Sequence, residues 1–203
     1  MSIDKKYIDY FVNVTSKAAL SASYFVGKKD KIAADKAATD SMRSELNKID
    51  MNGKIVIGEG ELDEAPMLYI GEMLGTKKGP NLDIAVDPLE GTNFTAKNLP
   101  NALSVLAVTQ KNNLLHAPET YMEKIVIGPG LPESLVDLDF GVKKNIKLLS
   151  EAKNVYPDKL TACLLQRPRH NSIVESLNSM GVKINFISDG DVWGAISVAH
   201  PNS

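Results

Sequence analysis

The stretch Leu-Asp-Ile-Ala-Val-Asp-Pro-Leu-Glu-Gly-Thr, residues 82–92, is the part of the sequence that decides the fold. Its first half is a short apolar run of the length of a buried strand. Pro88 fixes φ and is expected to end that strand, while Gly91 gives the backbone freedom to turn. We therefore expect Asp87 and Glu90 to converge where the strand ends, in the crevice where open α/β sheets bind ligands.

Further strands and two helices are expected around this stretch. Runs rich in β-branched residues predict buried strands at residues 54–58, 103–109 and 124–127. Apolar and small residues recur at three- and four-residue spacing over residues 7–26, which predicts an amphipathic helix, and a second helix is expected over residues 32–49. Residues spaced by four mark the core face of the second helix: Ala34, Ala38, Met42 and Leu46.

The last third of the chain alternates between strand and helix patterns. Apolar runs at residues 160–165 and 183–187 are each followed by a helix pattern, which predicts a parallel sheet covered by helices. We therefore expect an α/β protein with an N-terminal lobe over residues 1–150 and the start of a second α/β lobe over residues 151–203. The sequence stops after a helix pattern, where such a sheet normally continues, so the second lobe is expected to be incomplete.

Composition excludes several classes of partner. The 203 residues include 23 basic and 25 acidic side chains, a net charge of −2, so no global field favours nucleic acid or an anionic membrane. The N-terminus lacks the apolar core of a signal peptide, and no run approaches the ~18 apolar residues of a membrane helix. A cytoplasmic protein with a small substrate is expected. Cys163 lies in an apolar run, which favours a buried, inert thiol.

Acidic residues cluster where predicted strands end. Glu59, Glu61, Asp63 and Glu64 follow the strand at residues 54–58 directly, and Asp35 lies on the second helix. Carboxylates gathered without basic partners repel one another, and a divalent cation relieves that repulsion. Oxygen-only ligands select hard ions such as Mg²⁺ or Mn²⁺. Taken alone, the Glu59 loop is equally compatible with a solvated acidic surface, and the second acidic motif at Asp87 tips the balance towards a metal site.

Residues 58–72 and 87–92 resemble the two signature stretches of the class II fructose-1,6-bisphosphatases. These enzymes belong to the lithium-sensitive phosphatase superfamily, which includes the inositol monophosphatases. Glu90, where most of the superfamily has Asp, is typical of class II. The resemblance implies a sugar-phosphatase fold of alternating helix and sheet layers. Further matches are Asp30-Lys31 with Asp35, Tyr121-Met122-Glu123-Lys124, Arg167-Pro168-Arg169-His170 and Asp189-Gly190-Asp191.

The resemblance also implies a role for each matching residue. Four carboxylates are expected to bind Mn²⁺ or Mg²⁺: Asp35, Glu59, Asp87 and Glu90. Catalytic roles are implied for three residues, of which the first two orient the attacking water: Thr92, Asp63 and Glu59. Contacts to the phosphates and sugar hydroxyls are implied for Lys31, Glu90, Gly91, Thr92, Tyr121, Arg167, Pro168, Arg169, Asp189, Gly190 and Asp191.

The implied function is hydrolysis of the 1-phosphate of fructose 1,6-bisphosphate in gluconeogenesis, by a homo-oligomer that is a dimer or tetramer. The alternatives are a sedoheptulose-bisphosphate phosphatase, an inositol-phosphate phosphatase, or a non-catalytic fragment that binds sugar phosphates or metal. The family's chain continues further and includes a Gly-Gly-Ala-Pro-Glu-Gly segment whose Glu is another metal ligand. This segment does not occur in the sequence, so one metal position is expected to be weakened.

Overall fold

The computed structural model describes residues 3–59, 68–117 and 120–199. The described residues combine helices with a four-stranded mixed sheet and a two-stranded parallel sheet, which confirms the mixed α/β class. The chain divides into two compact units, Met1–Thr120 and Tyr121–Ser203. The domain boundary expected between residues 150 and 151 stays a prediction. The two compact units meet earlier in the sequence, between residues 120 and 121.

The first unit combines a mixed sheet with two long helices. Within its described residues the strands lie in the order β2-β1-β3-β4, with β1 parallel to β3 and antiparallel to β2, and with β4 antiparallel to β3. Its elements are α1 (Lys6–Ser23), α2 (Lys31–Leu46), β1 (Asn52–Ile57), β2 (Met73–Leu74), β3 (Asn81–Glu90), α3 (Thr92–Ala96) and β4 (Leu103–Gln110).

The core of the first unit lies between the two long helices and the sheet. The predicted face of α2 is fully buried, from Ala34 to Leu46 at every fourth position. Val14 and Ala18 of α1 and Ile84 of β3 belong to the same apolar cluster. Helix α2 begins at Lys31 because the Asp30 carboxylate caps it, accepting a hydrogen bond from the Ala33 N–H at 2.9 Å. Both predicted helices are thus confirmed.

Strand β3 continues through Pro88, so the prediction that this proline ends the strand is wrong. Asp87 pairs with Val105 of β4 and Glu90 pairs with Leu103, which leaves one extra residue on β3 between these pairs. This is a β-bulge. Proline has no backbone N–H to donate to the ladder, and a bulge tolerates it because the extra residue of a bulge is left unpaired.

In the described residues of the second unit, helices alternate with two strands. Its elements are α4 (Gly141–Lys153), β5 (Thr161–Leu165), α5 (Asn171–Ser179), β6 (Lys183–Ile187) and α6 (Asp191–Ser197). Strands β5 and β6 are parallel, which confirms the predicted arrangement, and Cys163 pairs with Asn185 in the register. The apolar core of this unit forms around Leu160, Leu177 and Val182, and α4 packs on it.

Two local expectations have different outcomes. Residues 124–127 are not a strand, because this exposed segment finds no partner strand among the described residues. Cys163 is partly buried, and burial raises the pKa of its thiol, which agrees with an unreactive side chain. Within the described parts of the chain, no helix combines the length and the apolar character needed to cross a membrane.

Candidate metal centre

The bulge in β3 brings Asp87 and Glu90 to one side of the sheet. In a regular strand, side chains alternate between faces, so two residues three positions apart point in opposite directions. Here Asp87 and Glu90 pair with Val105 and Leu103, which are two positions apart on β4 and therefore share a face. The two carboxyl groups are within hydrogen-bonding reach of each other.

The turn after the bulge depends on Gly91. Its φ of +82° lies in the left-handed region, and a Cβ added there would stand 2.9 Å from Cδ2 of Phe94. Helix α3 begins directly after this glycine with Thr92, whose side chain is half-buried. The Leu89 N–H donates to Oδ1 of Asp87 at 3.1 Å, which fixes the orientation of that carboxylate within the turn.

Glu59 is held at the start of the loop that follows β1. Its N–H donates to the Leu68 carbonyl oxygen at 3.0 Å, which fixes the backbone of Glu59 beside that of Leu68. A Cβ on Gly58 would lie 2.2 Å from that same oxygen, so only glycine permits this approach. Asp63 and the other residues from 60 to 67 lie outside the described part of the structure.

The carboxylates of three elements interact electrostatically. Burial, with the neighbouring Asp35 carboxylate, raises the pKa of Glu59 to about 7. Burial likewise raises the pKa of Asp87 to about 6, and the charges of Glu59 and Asp35 add to this, whereas hydrogen bonds from Glu90 and Leu89 oppose it. The pKa of Asp35 on α2 is also raised by burial. Asp35, Glu59, Asp87 and Glu90 are thus brought into one region.

Buried oxygens without partners show what this region lacks. Oδ1 of Asp35 and Oε2 of Glu59 are buried and accept no hydrogen bond from the described residues. Such atoms are costly unless another group satisfies them, and carboxylate oxygens are the ligands of hard divalent cations. The residues therefore fit a divalent metal. No three acidic, His or Cys side chains of the described chain stand in a ready-made metal cage, so binding would draw the carboxylates together.

Two further polar residues of α2, Lys31 and Asp40, lie at the surface of the first unit. Lys31 is exposed at the first turn of α2, just after the Asp30 cap. Asp40, further along the same helix, pairs with Lys36 at 2.6 Å. Since Asp40 faces its own helix neighbour, it is separate from the carboxylate cluster.

The predicted phosphate and sugar residues of the second unit follow its two parallel strands. Arg167 comes after β5, and its guanidinium donates to the carbonyl oxygens of Gln166 and Ser188 at 2.9 and 2.8 Å. Ser188 follows β6, so Arg167 bridges the carboxyl ends of both strands. Gly190, with φ +74°, precedes α6 and is buried. Asp189 is half-buried beside it.

Two further side-chain contacts lie in this region of the second unit. The guanidinium carbon of Arg169 stands 4.2 Å from the centre of the exposed Tyr121 ring, a cation–π contact. Asp191 at the start of α6 pairs with Lys124 at 3.1 Å. Pro168 begins the short 3₁₀ turn that carries Arg169. The roles of these residues towards substrate stay predictions.

The sequence did not reveal two features near the carboxylates. Arg43 of α2 forms a bidentate pair with Glu72, 29 residues later, and no local pattern signals a contact over that separation. Ser104 lies on β4 opposite the bulge, and its buried hydroxyl has no partner among the described residues. In the sequence, the only sign of this buried hydroxyl is a serine within an apolar strand.

Comparison with known proteins now defines the class. The sequence pattern of the family described as bacterial fructose-1,6-bisphosphatase, glpX-encoded, matches residues 5–203. The chain belongs to this family.

The particular relatives are similar over almost the whole chain. A protein of Escherichia coli K12 named fructose-1,6-bisphosphatase 1 class 2 is 45% identical over 193 residues, which is 95% of this chain and 57% of the relative. The Haemophilus influenzae protein named fructose-1,6-bisphosphatase class 2 is 43% identical. A Synechococcus protein named D-fructose 1,6-bisphosphatase class 2/sedoheptulose 1,7-bisphosphatase is 43% identical over 195 residues. The chain spans 57–58% of the length of these relatives.

Proposed function

We propose that this chain forms the metal-binding part of a phosphatase that hydrolyses the 1-phosphate of fructose 1,6-bisphosphate to fructose 6-phosphate and phosphate. One observation carries this proposal. Carboxylates from α2, from the loop after β1 and from the β3 bulge are electrostatically coupled, and two of their buried oxygens lack a partner. Family membership supports the reaction class.

Asp35, Glu59, Asp87 and Glu90 are the proposed ligands, with Mn²⁺ or Mg²⁺ as the cation because all four offer oxygen. When bound by these carboxylates, a divalent cation would supply a lowered pKa for a nearby water molecule and positive charge for the phosphoryl oxygens. The carboxylates are partly buried, and electrostatic interactions at a partly buried site are stronger than in water. A bound cation would offset the repulsion between Asp35 and Glu59, which adds to the larger effect of burial in raising the pKa of Glu59.

Thr92 is proposed to orient the attacking water through its hydroxyl. It is the first residue of α3, directly after the Gly91 turn that follows the carboxylates. Asp63 is the acid proposed to work with it, together with Glu59. A hydroxyl held by a helix end moves little, which is the requirement for placing a nucleophile in line with a phosphoryl group.

Phosphate and sugar recognition is proposed for the remaining residues that match the family's site. Lys31, Tyr121, Arg167 and Arg169 offer cationic or hydroxyl donors to phosphate, since the planar guanidinium matches phosphate oxygens. The contacts of Arg167 with Gln166 and Ser188 support this role because they fix its fork before any ligand binds. Asp189 and Asp191 are proposed to accept hydrogen bonds from sugar hydroxyls, with Pro168, Gly190 and Gly91 shaping the turns.

Sedoheptulose 1,7-bisphosphate is a second candidate substrate. It is favoured by the name of the Synechococcus relative, which joins both bisphosphatase activities. An inositol-phosphate phosphatase is disfavoured by Glu90 and by the Arg167-Pro168-Arg169 motif. We further propose the sugar-phosphatase fold of alternating helix and sheet layers, a cytoplasmic location and a homo-oligomeric assembly, all from family membership.

The test is phosphate release from fructose 1,6-bisphosphate, sedoheptulose 1,7-bisphosphate and inositol 1-phosphate, each with Mn²⁺ or Mg²⁺. It compares this chain with the same chain extended by the C-terminal part of the Escherichia coli relative. Preferred release from fructose 1,6-bisphosphate by the extended chain supports the proposal. Preferred release from inositol 1-phosphate contradicts it, and no release by either chain favours a non-catalytic binder.

A further inference from the structure

An enclosed ion pair joins α2 to the segment that follows the Glu59 loop. Nε of Arg43 donates to Oε1 of Glu72 at 2.7 Å, and a second guanidinium nitrogen donates to Oε2 at 3.2 Å. The side chains are 25% and 11% exposed, against 56% and 50% for the Lys36–Asp40 pair on the same helix. A bidentate, partly buried pair has more geometric specificity than a surface pair.

The two ends of this pair are anchored to the elements that carry the carboxylates. Arg43 and Asp35 both lie on α2. The backbone of Glu72 is fixed to β1, because its carbonyl oxygen accepts from the Ile55 N–H at 2.9 Å and the Gly71 N–H donates to the Ile55 carbonyl at 2.8 Å. Glu59 follows the end of β1 by two residues. The Arg43–Glu72 pair therefore ties the Asp35 helix to the Glu59 strand.

The pair opposes a repulsion between the same two elements. The Asp35 and Glu59 carboxylates interact as like charges, so without a counter-ion they favour separation of α2 from the end of β1. Binding sites need their groups held within about 0.5 Å of the productive geometry. A fixed tie between helix and strand meets that requirement before the cation arrives.

We propose that Arg43 and Glu72 are positioning residues, which hold α2 against β1 and so set the separation of Asp35 and Glu59 at the metal site. The inference rests on the proposed metal-binding function. Neither residue touches the cation or the substrate in this account.

Three variants of the chain test this inference by calorimetric titration with Mn²⁺: Arg43→Gln, Glu72→Gln and the double variant. We expect each single variant to weaken binding by about tenfold, the scale of losing an outer support of a metal site. The double variant is expected to lose little more than the Arg43→Gln variant, because removing Arg43 already breaks its pair with Glu72. If the two side chains acted only through long-range charge, the single variants would change Mn²⁺ affinity in opposite directions. Losing Arg43 would then strengthen cation binding, and losing Glu72 would weaken it.

Two matched variants complete this experiment. Lys48→Gln breaks a surface pair with Glu45 in the same unit and is expected to leave Mn²⁺ affinity unchanged. Arg43→Lys keeps the charge and loses the planar fork, so it is expected to weaken binding less than Arg43→Gln does. Unchanged or tighter Mn²⁺ binding in the folded Arg43→Gln variant overturns the inference.

Hydrogen exchange of the metal-free chain tests whether the Arg43–Glu72 pair holds α2 to β1. The Glu59 amide, bonded to the Leu68 carbonyl, is expected to exchange about tenfold faster in the double variant than in the original chain. Equal exchange rates overturn the inference. Failure of the original chain to bind Mn²⁺ would instead contradict the proposed function, while the exchange result would still decide whether the pair positions the loop.

Discussion

The Asp87 carboxyl group lies within hydrogen-bonding reach of the Glu90 carboxyl group, three residues later on the same strand. The bulge at Pro88 makes this contact possible, because it shifts the alternation of side chains by one residue. The Glu90 hydrogen bond lowers the pKa of Asp87, but burial outweighs it and raises that pKa to about 6. Cation binding and proton binding therefore compete at this point of the fold.

Asp87→Asn is expected to abolish Mn²⁺ binding while leaving the metal-free chain as stable as before or more stable. The reason is that the substitution keeps the side-chain shape and removes one charge from a repulsive, partly buried cluster. Thermal melting and calorimetric titration measure both effects. Glu175→Gln, which removes an exposed carboxylate from α5, is the control and should change neither quantity. Tight Mn²⁺ binding by folded Asp87→Asn would show that the ligand assignment is wrong.

The metal-free chain should lose stability as the pH rises. Burial raises the pKa of Glu59 from 4.5 to about 7 and that of Asp87 from 3.8 to about 6. Because both folded-state pKa values are raised, the folded chain binds more protons than the unfolded chain between these limits. The contribution of these two groups to stability is therefore greatest below about pH 4 and declines up to about pH 7.

Thermal melts across this pH range check the expectation, with and without Mn²⁺. We expect the decline to be smaller in Glu59→Gln, because that side chain no longer titrates. Mn²⁺ is expected to restore stability above about pH 7, where its ligands are deprotonated. A decline of the same size in Glu59→Gln would assign the pH dependence to other groups.

Gly91→Ala should destabilise the first unit by about 1–3 kcal/mol, the range for a strained backbone, and by more once the side-chain clash is included. The positive φ disfavours any Cβ, and this one would meet Phe94 at 2.9 Å. Gly71→Ala is the matched control, because Gly71 also has a positive φ but nothing lies within 4 Å of its Cβ position. Denaturant unfolding should show the larger loss for Gly91→Ala; equal losses would mean that Phe94 moves aside freely.

Thr92→Val should lower kcat for phosphate release by about 10²-fold in the extended chain, the scale of losing a catalytic donor. Thr92→Ser keeps the hydroxyl and should be far milder. Mn²⁺ affinity should stay close to that of the parent in both variants, since the hydroxyl is assigned to water and not to the cation. Equal losses of kcat in Val and Ser variants would indicate that the methyl group, through packing, is what matters.

Local periodicity was enough to predict much of this fold. The four-residue spacing from Ala34 to Leu46 identified the buried face of α2, because a helix places such positions on one side. The acidic motifs predict a carboxylate cluster because carboxylates after strands meet at one edge of a sheet, and the role of that cluster as a metal site stays a prediction. Pro88 was misjudged since the register that makes it part of a bulge depends on β4, which comes later in the chain.

Contacts between distant residues could not be predicted. The Arg43–Glu72 pair spans 29 residues, and only the packing of α2 on the sheet brings its ends together. Residues 124–127 have the composition of a strand, yet a strand also needs a neighbour to accept its backbone hydrogen bonds. Composition specifies which segments favour a strand, whereas pairing depends on the rest of the fold.

Calorimetric titration of the chain with Mn²⁺ at about pH 7.5 and about pH 5 tests the central claim most directly, because the ligands must be deprotonated to bind. We expect weak binding at the higher pH, a marked loss at the lower pH, and no binding in Asp35→Asn or Asp87→Asn. Binding that is independent of pH and unchanged in both variants would contradict the assignment of these carboxylates to a metal site.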